Sequence, residues 1–268
     1  MVKSNLKEKK VQSKANLKVV DNNAVKTTAY SDINLKKWRE YDHVKTDTLW
    51  EFPNRLKEGG HSNEYHGNYI PQIAQQIYER YTKKDDIVLD LFFGSGTSGI
   101  EAINMGRRCI GVELKDELAE SVSEKFTPKQ LVTDVNIICA DSASQLAKEK
   151  IEARLDIMGR KNAQLLMLHP PYDDIIKFSD KKEDLSNCAT TEEFYDLFEK
   201  VAKNGYDLLE KGRFACLIIG DKYANSQHIP LGFECMARMN KLGFITKAII
   251  IKDMQGNERA KGKTANLW

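Results

Sequence analysis

The feature that most constrains this chain is an alternation running from residue 71 to residue 251. Six short apolar runs recur in that interval: IVLDLFF (87–93), CIGVEL (109–114), VNIICA (135–140), QLLMLH (164–169), RFACLIIG (213–220) and FITKAIII (244–251). Each is too short for a buried helix and suits a strand buried on both faces. Between them lie helical patterns. Pro71 opens the first, with Ile73, Ala74, Ile77 and Tyr81 at helical spacing. SGIEAINM follows the first strand and stops at Gly106; further helices are expected over 115–125, 143–159 and 191–210, with Pro128 in a loop. Strands alternating with helices predict an α/β fold with a doubly wound, mostly parallel sheet. Ligands of such sheets sit at the carboxyl ends of the strands.

Composition excludes some classes. With 268 residues the chain suits one α/β domain plus an appendage, and we expect a basic N-terminal extension over 1–58, partly disordered, and a catalytic domain over 59–268. No apolar run reaches the ~18–20 residues of a membrane span, and the N-terminus has no apolar stretch behind its lysines, so neither membrane nor secretion is expected. The five cysteines, Cys109, Cys139, Cys188, Cys216 and Cys235, lack metal-ligand spacing and read as reduced thiols of a cytoplasmic protein. Net charge is +2, yet residues 1–40 carry ten Lys/Arg against four acids, leaving the remainder at −4. A basic arm on an acidic body suits a polyanion; it equally suits a solvated tail. Residues 31–69 interleave aromatics with charge (Trp38, Arg39, Tyr41, His43, Trp50, Phe52, Arg55, Tyr65, Tyr69), either as a nucleic-acid surface or as a packed extension.

The loop after the first strand, Asp90-Leu91-Phe92-Phe93-Gly94-Ser95-Gly96-Thr97-Ser98-Gly99, carries the first chemistry. Gly94 and Gly96 admit a ligand close to the backbone. Gly94, Gly96 and Gly99 also satisfy the dinucleotide pattern, so a nicotinamide cofactor competes here. Glu113 ends the second strand, where a carboxylate can accept from both hydroxyls of a ribose. Asp141 ends the third, where an acceptor can meet an adenine amino group, with Ser142 adjacent. Asp141 could alternatively cap the helix that follows. One acid per successive strand makes an adenosine-binding constellation.

His169-Pro170-Pro171-Tyr172 ends the fourth strand. Two prolines there could be a plain stop signal. Beside a nucleoside site they suit another task. The exocyclic amino nitrogen of a base is a poor nucleophile, because its lone pair is delocalised into the ring. Acceptors on its hydrogens free that lone pair. Pro170 can aim a carbonyl at one hydrogen, since the ring fixes φ. Neutral His169 could supply a second acceptor. Tyr172 can stack on a base swung out of the helix. Methyl transfer by in-line displacement from a sulfonium then needs positioning, with no metal.

Here the chain resembles the amino-methyltransferases of DNA restriction–modification systems, over about 50 to 252. DLFFGSGT (90–97) is close to that family's cofactor loop, NYIPQIAQQIYERYT (68–82) to the element before it, RRCIGVEL (107–114) to the segment with the ribose acid, and HPPY to the catalytic D/N/S-P-P-Y/F. The resemblance implies a Rossmann-like class I methyltransferase fold and S-adenosylmethionine as cofactor, leaving S-adenosylhomocysteine. It implies cofactor contacts at Tyr69, Pro71, Asp90, Phe92, Gly94, Ser95, Gly96, Thr97, Glu113, Asp141 and Ser142, and catalysis at His169, Pro170, Pro171 and Tyr172. The expected reaction is methylation of adenine N6 or cytosine N4 in double-stranded DNA, sequence-specifically and with base flipping.

Two departures qualify the resemblance. The family has Asp, Asn or Ser where His169 stands, which leaves the base open and implies activity falling at low pH. After 244–251 only DMQGNERAKGKTANLW remains, so the last antiparallel strand of such folds is either missing or supplied by a partner. Expected partners are DNA and a specificity subunit, a cognate endonuclease or a second copy. Cytosine C5 chemistry is set aside, as no Pro-Cys pair occurs. Alternatives that stay open are methylation of an RNA base or of a glutamine amide, and a cofactor-binding recognition subunit without activity. Phe178, Tyr223 and Trp50 are further candidate base contacts; Asp221 could orient Tyr172, touch substrate or cap a helix.

Overall fold

The computed structural model describes residues 30–61, 65, 67–126 and 134–253. Most of the basic arm, Pro128 and the tail from Met254 lie outside the described residues. The described chain starts with a 3-10 helix (Leu35–Tyr41), followed by β1 (Leu49–Trp50) and α1 (Pro71–Tyr81), then β2 (Ile87–Asp90), α2 (Thr97–Asn104), β3 (Arg108–Glu113), α3 (Asp116–Phe126) and β4 (Val135–Cys139). It continues with α4 (Gln145–Ile157), β5 (Ala163–Leu168), α5 (Thr191–Leu208), β6 (Leu209–Leu217), the hairpin strands β7 (Lys222–Ala224) and β8 (Gln227–Ile229), α6 (Leu231–Leu242) and β9 (Ile251–Lys252). No helix among the described residues is long and apolar enough to cross a membrane.

Five strands form one parallel sheet in the order β4-β3-β2-β5-β6, and helices cover both faces. The order reverses at β2, so the crevice between β2 and β5 is the topological switch point. Every residue of β2 and β5 is buried, as the continuous apolar runs require. Register brings the carboxyl ends level: Asp90 lies opposite Gly111 and Met167, and Glu113 opposite Cys139. The loops that follow therefore converge on one rim.

The run 244–251 departs from expectation. Only Ile251 and Lys252 form a strand, and they pair in parallel with β1, outside the main sheet. Ile245 is 91% exposed, and no strand pairs antiparallel with the five-stranded sheet among the described residues. The β-branched run fits a strand, but a strand needs a neighbouring edge, and the edge used here is Thr48–Trp50: the Ile251 N–H donates to Thr48 C=O and the Asp253 N–H to Trp50 C=O.

Residues 30–58 pack on the body. Trp50 is buried in the cluster beneath α1, its indole N–H donating to Asp47 C=O, with the Arg80 guanidinium 5.0 Å from its ring. That buried position removes Trp50 as a base contact. Gln76 on α1 ties the same segment down, accepting from Lys45 N–H and donating to His43 C=O. Trp38 lies exposed, with Arg39 stacked on it.

Candidate active site

A cavity of about 370 Å³ opens at the switch point, within the range of small-ligand sites. Of the anticipated residues, Tyr69, Phe92, Gly94, Thr97, Glu113, Asp141, Ser142, His169, Pro170, Pro171 and Tyr172 line it. Pro71, Asp90, Ser95 and Gly96 stand behind the wall and shape it. Pro71 is the first residue of α1, and Gly96 precedes α2.

The glycine loop takes its form from positive φ angles, 52° at Gly94 and 89° at Gly96, which cost other residues dearly. A Cβ at Gly94 would sit 3.3 Å from the Tyr65 ring, so the bare backbone also spares a tight contact beneath that ring. Below the loop, Asp90 accepts from Phe92 N–H at 2.9 Å and from the Ser98 hydroxyl. Ser98 Oγ is in turn 2.6 Å from the Tyr69 hydroxyl. Burial pushes the Asp90 carboxyl up to about 6, while its bonds to Ser98 and Phe92 pull the other way.

The two rim acids differ. Glu113 accepts from Gly94 N–H and Lys115 N–H, each at 2.9 Å, so it fastens the glycine loop to β3 and keeps a lone pair on each oxygen toward the cavity. Burial raises its pKa. Asp141 accepts from Ala143 N–H, but the cap of α4 is Ser144, whose hydroxyl accepts from Ala147 N–H. Asp141 is thus not that helix's cap. Ser142 donates to Leu91 C=O at 2.6 Å and tethers the β4 loop to the β2 loop.

The tetrapeptide packs as a unit. His169 stands edge-to-face with Tyr69 at 5.2 Å and with Tyr172 at 5.7 Å, and its Nε2 is 3.2 Å from the Tyr172 hydroxyl. Burial lowers the His169 pKa to about 4, so the ring is neutral at ordinary pH. The loss of activity expected from protonation of His169 therefore moves below the usual imidazole range. Tyr172 lies flat on Gly220, where a Cβ would come within 2.8 Å of the ring. Burial raises the Tyr172 pKa, and the Gly220 N–H beside the hydroxyl partly offsets it. The next residue, Asp173, is buried at φ 55° and bonds to Lys222 Nζ at 2.9 Å and to the Thr191 hydroxyl at 2.7 Å. Lys222 belongs to β7, so the hairpin is bolted to the catalytic loop.

Several lining residues carry no sequence signal: Ile175, Ile176, Asp184 and Leu185; Tyr65 and Asn68 stood out only as part of an aromatic-rich stretch and a family-like segment. They come from irregular segments, 51–70 and 173–188. Phe178, anticipated as an aromatic near the site, lines the cavity with Tyr65 at 6.2 Å. Tyr223 sits exposed on the hairpin. Asp221 turns from Tyr172 to the start of α6, accepting from Gly232 N–H and pairing with His228. Asn68 accepts from the Ser95 hydroxyl, while its Nδ2, like Nε and Nη2 of Arg55, is buried without a hydrogen-bond partner among the described residues.

A family model described as DNA methylase matches residues 2–124. The probable type III restriction-modification enzyme HindVI Mod subunit of Haemophilus influenzae is 34% identical over 100 residues, 36% of this chain and 13% of that protein. The chain resembles DNA amino-methyltransferases. The type II methyltransferase M.MjaII of Methanocaldococcus jannaschii is 31% identical over 84 residues, 30% of this chain and 16% of that protein. The chain's match thus spans no more than 16% of the length of either relative. Among solved structures, the cyclopropane synthase MmaA2 of Mycobacterium tuberculosis aligns with a TM-score of 0.46 and 12% identity, over 69% of this chain and 65% of that one.

Proposed function

We propose that this protein methylates an exocyclic amino group of a base in DNA, adenine N6 or cytosine N4, using S-adenosylmethionine. The observation that carries the reading is the meeting of His169-Pro170-Pro171-Tyr172 with the glycine loop and Glu113 on one cavity wall. A nicotinamide reading accounts for the loop but leaves the tetrapeptide without a task.

The residues present fit the cofactor. The side-chain-free backbone at Gly94 offers a cradle that a Cβ would fill, and the unpartnered Asn68 Nδ2 beside Ser95 is a donor in want of an acceptor. When bound, S-adenosylmethionine supplies an electrophilic methyl group on a positively charged sulfur. Gly94, Ser95 and Thr97 would hold its amino-acid end, Glu113 its ribose hydroxyls and Asp141 its adenine amino group. Pro170 C=O accepts one hydrogen of the target amino group and concentrates the nitrogen lone pair. Tyr172 and Phe178 present ring faces to a flipped base. Ile175, Ile176 and Leu185 add apolar surface to a wall that also carries Glu113, Asp141, Glu183 and Asp184.

Double-stranded DNA is the proposed partner, with sequence choice residing in residues 30–60, the 173–190 loop or another subunit. The test is transfer from labelled S-adenosylmethionine to unmethylated duplex DNA, with RNA and protein in parallel, followed by nucleoside analysis. N6-methyladenine or N4-methylcytosine is the expected product. Label confined to RNA or protein overturns the substrate and keeps the chemistry.

A further inference from the structure

The hydrogen-bond bookkeeping around His169 assigns that residue a task other than accepting from the amino group. Tyr172 has one hydroxyl hydrogen to donate, and its oxygen faces the Gly220 N–H. Among the described residues, the acceptor within reach of that hydrogen is His169 Nε2, at 3.2 Å. If Nε2 carried a hydrogen, two donors would face the Tyr172 oxygen and its hydroxyl hydrogen would be left without an acceptor among the described residues. The arrangement that satisfies each group runs from Gly220 N–H to the Tyr172 oxygen, and from the Tyr172 hydroxyl to His169 Nε2. The neutral ring then carries its own hydrogen on Nδ1. It remains neutral, because burial disfavours the imidazolium.

We propose that His169 presents Nδ1–H as a donor to the ring nitrogen beside the target amino group, with the Tyr172 hydroxyl as the positioning group that sets this tautomer. The proposal rests on the amino-methylation reading and names its specificity determinant. On the Watson–Crick edge, the bases that set an unprotonated ring nitrogen beside the exocyclic amino group are adenine, at N1, and cytosine, at N3. Guanine carries a hydrogen on the ring nitrogen between its amino and carbonyl groups, and thymine has no amino group. A fixed donor at this point accepts the first pair and opposes the second, because two donors would face each other. Asp, Asn and Ser all can accept from the amino group; a neutral His whose Nε2 is already taken cannot. Pro170 C=O then serves as the acceptor on the amino group, and His169 fixes the base edge against it.

Two measurements on the full chain test this. Nitrogen-15 NMR of labelled histidine, assigned with His169→Gln, is expected to show His169 protonated at Nδ1 and bare at Nε2 at pH 7, and a mixture of tautomers in Tyr172→Phe. An Nε2-protonated ring in the unmodified protein overturns the assignment. In duplex DNA, replacing the target adenine by 1-deazaadenine, or the target cytosine by 3-deazacytosine, is expected to cut kcat/KM about 100-fold. In His169→Leu the same replacement is expected to change it less than threefold. Equal turnover of the natural and deaza bases by the unmodified protein overturns the proposal while leaving amino-methylation intact. No methylation of any natural base overturns the function, and the tautomer is then still decided by NMR.

Discussion

His169 on the cavity wall and Asp90 buried behind it pull on stability in opposite directions with pH. His169 has a folded pKa of about 4 against the ordinary 6.5. Between those values the unfolded chain binds more protons, so His169 makes the protein less stable as pH falls from 6.5 toward 4, by roughly 3 kcal/mol in full. Asp90 has a folded pKa of about 6 against 3.8. There the folded state binds more protons, so its contribution is fully present below 3.8 and is lost as pH rises through 6, again by roughly 3 kcal/mol. The two slopes nearly cancel between pH 4 and 6. In urea titrations, His169→Gln is expected to gain stability relative to the unmodified protein as pH falls from 6 to 4, because the other titrating groups are common to both; a constant difference across that window would refute the assignment of His169.

At the scale of elements, the hairpin β7–β8 matters through one bond. Lys222 Nζ is largely buried between Asp173 and Asp174, and Asp173 follows Tyr172 directly. Lys222→Met would leave the Asp173 carboxylate buried with only the Thr191 hydroxyl. We expect a loss of about 3 kcal/mol, as for other buried pairs deprived of one partner, read by thermal or denaturant unfolding. Asp173→Asn with Lys222→Met should recover part of it, because no unpaired charge then remains. None of this was legible in the sequence, where Asp173 and Lys222 are two ordinary charges 49 residues apart. The parallel strands and the glycine loop were legible, because continuous apolar runs and positive-φ glycines are local signals. Apart from Tyr69 and Phe178, the walls contributed by 51–70 and 173–188 were not, because irregular segments have no period to read. The run 244–251 misled for a related reason: β propensity describes a residue's fit to a sheet and says nothing of whether an edge is available.

For the whole molecule, Trp50 ties the N-terminal segment to the sheet. Sequence alone allowed residues 31–69 to be a nucleic-acid surface or a packed extension; the structure divides them, with Trp50 in the core, Tyr65 on the cavity wall and Trp38 outside. Trp50→Ala should cost about 3–5 kcal/mol, through the cavity left under α1 and the stranded Arg80. If residues 49–50 belong to the same cooperative unit as the sheet, the variant unfolds in one transition at lower temperature. Two separated transitions, with the main one unmoved, would place this segment outside the unit.

The parallel pairing of Leu49–Trp50 with Ile251–Lys252 joins points about 200 residues apart. Such a contact carries a large loop-closure cost and belongs late in assembly, after the central strands have found one another. During synthesis, Trp50 must wait for almost the whole described chain to leave the ribosome before its edge is paired. The cavity rim at Lys252 is therefore among the last features to take shape, so the ligand site matures only when the two ends of the fold have met.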